Sequence, residues 1–258
     1  MANTIGYGQG AVNNTIGYGQ GAKVGSSSFS NTKSVEFDGI DDYVVSNAAY
    51  THLSSGTAMS VSVWFKSSVY TTLGRLLFVG KHVEIKQNSA LYSNTQGTFS
   101  YIVKGEYGNS FAVLGGGTNL GVANLVDGQW HHLCFTWDGA TTTAKVYEDG
   151  VLKVTNTLAS GTLNSSTIEK YSVGAENNGS NPINGLVDEA AIWTTALSSD
   201  DVTAIYNSGV PNNLDDLSAT PITWWRFEGT GTTATDSGSG GNDGTLTNGV
   251  TRSSDVPT

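Results

Sequence analysis

The chain has 258 residues with 33 glycines and only 4 prolines, enough for one large β domain or two small ones. Its formal charge is −10, from 12 basic and 22 acidic residues. A surface this acidic, rich in Thr, Ser, Asn and Gly, argues against a phosphate backbone as partner and favours solubility, cations or neutral ligands. No run of about 18 apolar residues is present, which excludes a membrane-spanning helix, and the single cysteine, Cys134, excludes an internal disulfide.

In chain order, the opening MANTIGYGQG carries neither a basic region nor an apolar stretch, so no secretory signal is expected in the chain as given, a trimmed one aside. Asn3–Ala11 (NTIGYGQGA) recurs unchanged at Asn14–Ala22, a period of 11. Each copy has one Ile, one Tyr and three glycines, too little apolar surface to fold alone. It reads either as a flexible leader or as an anchor. In the second reading, which is favoured, Ile5, Tyr7, Ile16 and Tyr18 dock into a partner or pair with copies of themselves. Residues 1–32 are therefore expected to be an arm and linker, and residues 33–258 a globular domain.

Strands follow. Ser34–Val45 puts Val35 and Phe37 on one face and turns at Asp38-Gly39; Ser60–Lys66 alternates Val61, Val63 and Phe65 against Trp64. Leu76–Val79, Phe99–Lys104 and Phe111–Leu114 are shorter candidates. Gly128–Lys153 reads as the central hairpin, with Leu133, Phe135 and Trp137 on one face and His132, Cys134 and Thr136 on the other. Asp149-Gly150 is a tight-turn signal. Tyr171–Gly174, Gly185–Trp193 and Thr223–Phe227 are further strands. One helix is expected, capped by Ser198 with Asp201 in the capping-box position, buried through Val202, Ile205 and Tyr206, and stopped at Gly209. The last thirty residues are mostly turn-forming. About ten short strands and one helix spell an all-β antiparallel sandwich.

Three blocks carry a resemblance: Phe37–Val44 (FDGIDDYV), Gly128–Gly139 (GQWHHLCFTWDG) and Gly185–Trp193 (GLVDEAAIW) followed by Ala196-Leu197-Ser198. In this order they resemble the opening strand, the central strand and turn, and the closing strand and helix cap of the LamG-like jelly roll, a branch of the concanavalin A-like lectin/glucanase superfamily. The match spans roughly residues 33–209 and implies the fold, not one function. Trp224–Gly249 resembles a stretch that usually precedes the opening strand, yet here it comes last. Either residues 215–258 complete the same sandwich, the favoured reading, or they begin a truncated second copy. The N-terminal repeat is similar to glycine-rich leaders of tailed-phage virion proteins. That resemblance implies a capsid decoration, head-fibre or tail-fibre component on the virion surface, assembled in the host cytoplasm as a homo-oligomer. An extracellular location is the alternative.

For chemistry, Asp236, Gly238, Gly240, Asn242 and Asp243 lie in one glycine-rich loop, DSGSGGNDG, whose oxygens suit a hard cation. The resemblance implies a structural Ca2+ held by Asp188, Asp236, Asn242 and Asp243; a solvated turn without an ion is the other reading. Asp38, Asp41 and Asp42 read as turn formers. No row of carboxylates at alternate strand positions suits a glycosidase, because Asp188/Glu189 and Glu148/Asp149 are adjacent and so expected on opposite faces. His131 and His132 read as structural, and Cys134 as a core residue. No catalytic residue and no organic cofactor is expected. Candidates for sugar contact, by type, are Trp64, Tyr70, Tyr92, Tyr107, Asn109, Asn177, Asn178 and Asn181. The functional expectation is a non-enzymatic virion display protein for host-surface or glycan adhesion. A carbohydrate-binding lectin is the runner-up, and a glycoside hydrolase is disfavoured. Partners expected are virion proteins and host glycans, with neither nucleic acid nor membrane insertion.

Overall fold

A computed structural model describes residues 29–47, 57–71, 74–79, 83–87, 99–104, 110–114, 125–157 and 170–258. The repeats, with Ile5, Tyr7, Ile16 and Tyr18, lie outside these residues.

The strands are β1 (Ser34–Asp38), β2 (Tyr43–Ser46), β3 (Ala58–Lys66), β4 (Arg75–Val79), β5 (Val83–Gln87), β6 (Phe99–Lys104), β7 (Ser110–Leu114) and β8 (Trp130–Asp138). They continue with β9 (Thr143–Glu148), β10 (Val151–Thr157), β11 (Tyr171–Val173), β12 (Asn184–Trp193), β13 (Thr223–Trp225), β14 (Thr233–Ala234), β15 (Gly244–Thr247) and β16 (Thr251–Ser253). They form two antiparallel sheets. The first runs β10-β9-β8-β3-β12-β1-β16, with β13 also beside β12; the second runs β14-β15-β2-β11-β4-β5-β6-β7.

Alternation decides what faces the inter-sheet core. Leu133, Phe135 and Trp137 of β8 join Val61, Val63 and Phe65 of β3, Val35 and Phe37 of β1, and Val187 and Ile192 of β12. The second sheet contributes Val44, Leu77, Val79, Tyr171, Val173 and Leu246. The opposite face of the first sheet is also covered. Cys134, Tyr147, Ala191, Trp193 and Trp224 pack there against Leu197 and against Val202 and Ile205 of helix α1 (Ser199–Tyr206). Cys134 is fully buried, and burial pushes its thiol pKa up.

The helix starts as its sequence dictates: Ser198 caps it and Asp201 completes a reciprocal capping box. It ends two residues before the expected Gly209, because Asn207 already adopts the left-handed conformation at φ 43°. Asp149 (φ 50°) and Gly150 (φ 72°) form the β9–β10 turn with two consecutive positive φ values, as a two-residue hairpin of primed type needs.

The last thirty residues hold more structure than their turn-rich composition predicts. β14 pairs with β15, β15 pairs with β2, and β16 pairs with β1. Strands of two to four residues are too short to show periodicity. The β5 strand, VEIKQ, is a further strand beyond those expected from the sequence.

Close packing at Gly174 (φ +90°) yields a prediction. A Cβ there would sit 2.1 Å from Cε1 of the buried Phe37 ring. Gly174→Ala is expected to destabilise the domain by on the order of 3 kcal/mol, through overpacking plus a strained φ. Urea unfolding checks this; an unchanged midpoint would refute it.

Candidate functional site

The predicted metal ligands do not gather. Asp236 is held inside its own loop: Oδ1 accepts the Trp224 N–H at 2.8 Å and the Gly238 N–H at 2.7 Å, and Oδ2 accepts the Asn242 N–H at 2.6 Å. Asp243 Oδ1 accepts the Asp236 N–H at 2.8 Å. The Asn242 side-chain amide donates to Thr223 Oγ1 at 2.8 Å, and the Asn242 backbone carbonyl accepts the Trp225 indole N–H at 2.9 Å. This loop is a plug that satisfies the backbone around β13. Asp188 lies elsewhere: Oδ2 accepts from Asn31 Nδ2 at 2.9 Å and Oδ1 from the Glu189 N–H at 2.8 Å. Among the described residues, Asp188, Asp236 and Asp243 form no group of carboxylates within reach of one ion. The donor set therefore does not fit a calcium ion shared between the loop and Asp188. Backbone N–H groups already take both Asp236 oxygens, Asp243 Oδ1 and Asp188 Oδ1.

The expectation that Asp188 and Glu189 face opposite sides is corrected. Trp64 of β3 pairs with Asp188 and Ser62 with Ala191, so β12 carries one extra residue there. Glu189 sits at φ 48°, a β-bulge conformation. Val187 and Ala190 both enter the inter-sheet core, and Asp188 and Glu189 are left side by side on the outer face. The bulge coincides with a change of neighbour, since β1 borders β12 at 184–187 and β13 borders it at 190–192. Segments entering β1 and leaving β13 close the gap. Glu189 Oε2 accepts the Trp224 indole N–H, and Oε1 lies 3.5 Å from Arg226 Nε. The Arg226 guanidinium is 4.5 Å from the Phe29 ring centroid and donates to Ser30 O at 2.6 Å. Glu228 accepts from the Thr32 and Lys33 N–H groups. Burial, then their mutual repulsion, pushes the Asp188 pKa well up; burial raises that of Glu189 against the opposing Arg226 and Trp224. All four oxygens are engaged within the protein, and exposures of 0% and 3% leave no room for a substrate.

The histidines are also spoken for. His131 Nδ1 pairs with Asp149 Oδ2 at 2.8 Å and Nε2 with Asp127 Oδ1 at 3.2 Å. Burial disfavours the charged ring, but these two carboxylates outweigh it and raise the His131 pKa. His132 is buried beside Ser62 Oγ at 2.7 Å, and burial lowers its pKa to about 4. Sequence reasoning weighed Glu148 only as half of an adjacent carboxylate pair and missed its burial. It faces Leu133 across the ladder, 1% exposed, with neither carboxylate oxygen hydrogen-bonded among the described residues. Burial raises its pKa to about 7, against the attraction of Lys153. No periodic signal marks it, because a core-facing carboxylate breaks the pattern rather than making one.

Of the sugar-contact candidates, Tyr92, Tyr107 and Asn109 lie outside the described residues. Trp64 is buried and stacks on Tyr206 at 5.8 Å; Tyr70 is half-buried. Asn177, Asn178 and Asn181 share the β11–β12 loop at one rim of the sandwich, where Asn178 is exposed. That rim also holds the β1–β2 loop. Asn184 Nδ2 donates to Asp38 O at 2.8 Å, and Asn248 Nδ2 to Asp41 O at 3.0 Å. Ile40 stands at its crest, 73% exposed. Amide, carboxylate and apolar groups thus converge at one end.

Residues 38–203 match the Laminin_G_3 family, described as the Concanavalin A-like lectin/glucanases superfamily. The chain belongs to this family. Its sandwich is similar to that of a proposed carbohydrate binding protein from Bacteroides ovatus, with TM-score 0.63 and 14% identity over 89% of this chain. The chain spans 62% of the length of that protein. Domain 4 of AbnA, an extracellular arabinanase from Geobacillus stearothermophilus solved with arabinotriose, aligns at TM-score 0.46 and 24% identity, covering 66% of this chain and 74% of its own. A pentraxin from Limulus polyphemus aligns at TM-score 0.48 and 15% identity, covering 68% and 82%. At these identities the likeness establishes the laminin G fold alone. No curated protein matches the sequence.

Proposed function

We propose that this laminin G-like domain is a non-catalytic glycan-binding module, contacting its ligand at the rim formed by the β1–β2 and β11–β12 loops and the turn at Asn248. The observation that carries the non-catalytic part is the occupation of Asp188 and Glu189. They are the carboxylates brought together by the bulge, and each oxygen already serves the fold. Retaining hydrolysis needs two free carboxyl groups about 5 Å apart on either side of a sugar. The rim supplies what neutral sugars need instead: amide donors, carboxylate acceptors and an exposed apolar side chain. The B. ovatus protein's description supports the ligand class. The finer placement, display on a virion surface through the N-terminal arm, rests on the two identical NTIGYGQGA copies. Repetition multiplies weak contacts into useful retention.

The full chain is expected to be retarded in affinity gels containing a bacterial or plant polysaccharide and to release no reducing sugar from it. Substituting Asn178 and Ile40 together is expected to remove the retardation while leaving the melting temperature unchanged. Sugar release would overturn the non-catalytic reading, and unimpaired binding by the double variant would overturn the rim. Light scattering addresses the arm. A defined oligomer for the full chain and a monomer for a version starting at Lys33 support display; monomers in both favour a free-standing lectin.

A further inference from the structure

One edge of the first sheet is β10. Among the described residues it pairs with β9 alone and ends the strand order. Edge backbone is a template for another strand, and proteins ordinarily blunt it with a bulge, a lysine or a short length. Here those devices guard one end only. The ladder slips between Leu152 and Val154, which leaves Lys153 as the extra residue. Val154 to Thr157 then run in regular register opposite Val146 to Thr143, uncharged and, from Thr155 on, exposed. Val151 (56% exposed) and Leu152 (47%) add apolar surface beside them. Leu152 stands opposite Tyr147, on the outer face that α1 partly covers. The turn before it is braced, since a Cβ at Gly150 would lie 2.8 Å from Tyr206 Cδ1. In a chain of formal charge −10, no acidic residue occurs between Asp149 and Glu169, so this edge lacks the repulsion that guards the rest of the surface.

The N-terminal repeat has the form such an edge accepts. In Ile5-Gly6-Tyr7-Gly8-Gln9-Gly10 large residues and glycines alternate, as they do in Ile16–Gly21. An extended chain of this kind shows Ile, Tyr and Gln on one face and only glycine on the other. Glycine makes such a strand weak by itself, and a template offsets that cost. Residues 3–22 carry no charge. Reach selects which domain is served. The first described residue, Phe29, stacks on Trp224 of β13, which borders β12. β10 lies four strand spacings from β12, about 19 Å, with α1 on the face between. The stretch from Ala22 to Phe29 spans at most about 25 Å. That leaves no slack for a path around the helix, and two identical repeats cannot share one edge. A neighbouring copy's edge is under neither limit.

Resting on the reading of the arm as an assembly element, we propose that NTIGYGQGA of one chain adds as a strand to the β10 edge of a neighbouring copy, with Ile and Tyr beside Leu152. The backbone ladder supplies affinity and the alternate side chains supply specificity. Two repeats per chain multiply the contacts.

The test uses full chains. Gln9→Cys mixed with Asn156→Cys and oxidised under native conditions is expected to give a disulfide-linked dimer; the natural Cys134 is buried and does not compete. The yield is expected to exceed by about tenfold that with Thr251→Cys, on the opposite edge of the same sheet. Equal yields would overturn the proposal. So would Asn156→Cys linking chiefly to itself, the mark of two β10 edges pairing directly. Leu152→Lys with Thr155→Lys alters only exposed side chains and is expected to keep the melting temperature while dissociating the assembly in light scattering. If that variant stays an oligomer while one with Ile5, Tyr7, Ile16 and Tyr18 all changed to Ser is a monomer, the β10 site is overturned and the arm reading stands. A full chain that is monomeric at every concentration overturns both.

Discussion

A chain ending at Ala219 is expected not to fold. Residues beyond it supply a strand to each sheet's interior or edge: β13 beside β12, β15 beside β2 and β16 beside β1. Removing them deletes Trp224, Trp225, Phe227, Ala234 and Leu246 from the buried set. It also strips Tyr171 of the Trp225 ring stacked on it at 4.4 Å. Each large buried side chain contributes about 1.5–3 kcal/mol. Four of them together rival the roughly 5–15 kcal/mol that holds a domain folded. Near-UV circular dichroism and urea unfolding would read the result, and a cooperative transition in the truncated chain would refute it. The complementary experiment moves the segment instead of deleting it. Ser34 Oγ donates to Asp255 O at 2.6 Å, so the end of the chain lies beside the start of β1. A permuted chain that begins at Thr220, joins Thr258 to Phe29 through a short glycine-serine linker and ends at Ala219 is expected to fold with stability near that of the natural order.

The second large effect is pH-dependent. Glu148→Gln is expected to stabilise the protein at pH 8 by on the order of 2 kcal/mol, roughly 4–8 °C in melting temperature, and to change little at pH 4. Burial raises the folded-state pKa of Glu148 from an ordinary 4.5 to about 7. The fold therefore favours the neutral acid, and that contribution is complete below pH 4.5 and lost as pH rises through about 7. Lys153 and His131 draw the group towards ionisation and Asp149 opposes it, without reversing the direction. Glutamine keeps the shape without the charge. A melting-temperature difference that is flat between pH 4 and 8 would show that Glu148 carries no buried charge.

The sandwich was legible because its strongest strands alternate: GQWHHLCFTW and SVSVWFK read inward and outward residue by residue, and the structure keeps that assignment. The same rule misplaced Asp188 and Glu189. Alternation assumes an unbroken ladder, and nothing in GLVDEAAIW announces the extra residue. The glycine-rich loop at Asp236 was recognisable as special, but its sequence did not show that the Asp236 oxygens accept backbone N–H groups. A carboxylate facing an ion and a carboxylate facing three N–H groups have the same sequence.

Taken by itself, the sequence determined the all-β class, the core-facing residues of the long strands, the capped helix and the laminin G-like motifs, because each follows from local periodicity or turn chemistry. Only the tertiary structure decided what those motifs' acidic residues do. It buried Asp188 and Glu189 under Trp224 and Arg226, spent Asp236 on backbone donors, and set Asp38, Asp41 and Asp42 together at an open rim. A carboxylate's role depends on which donors and how much water surround it, and those arrive from strands far apart in the chain.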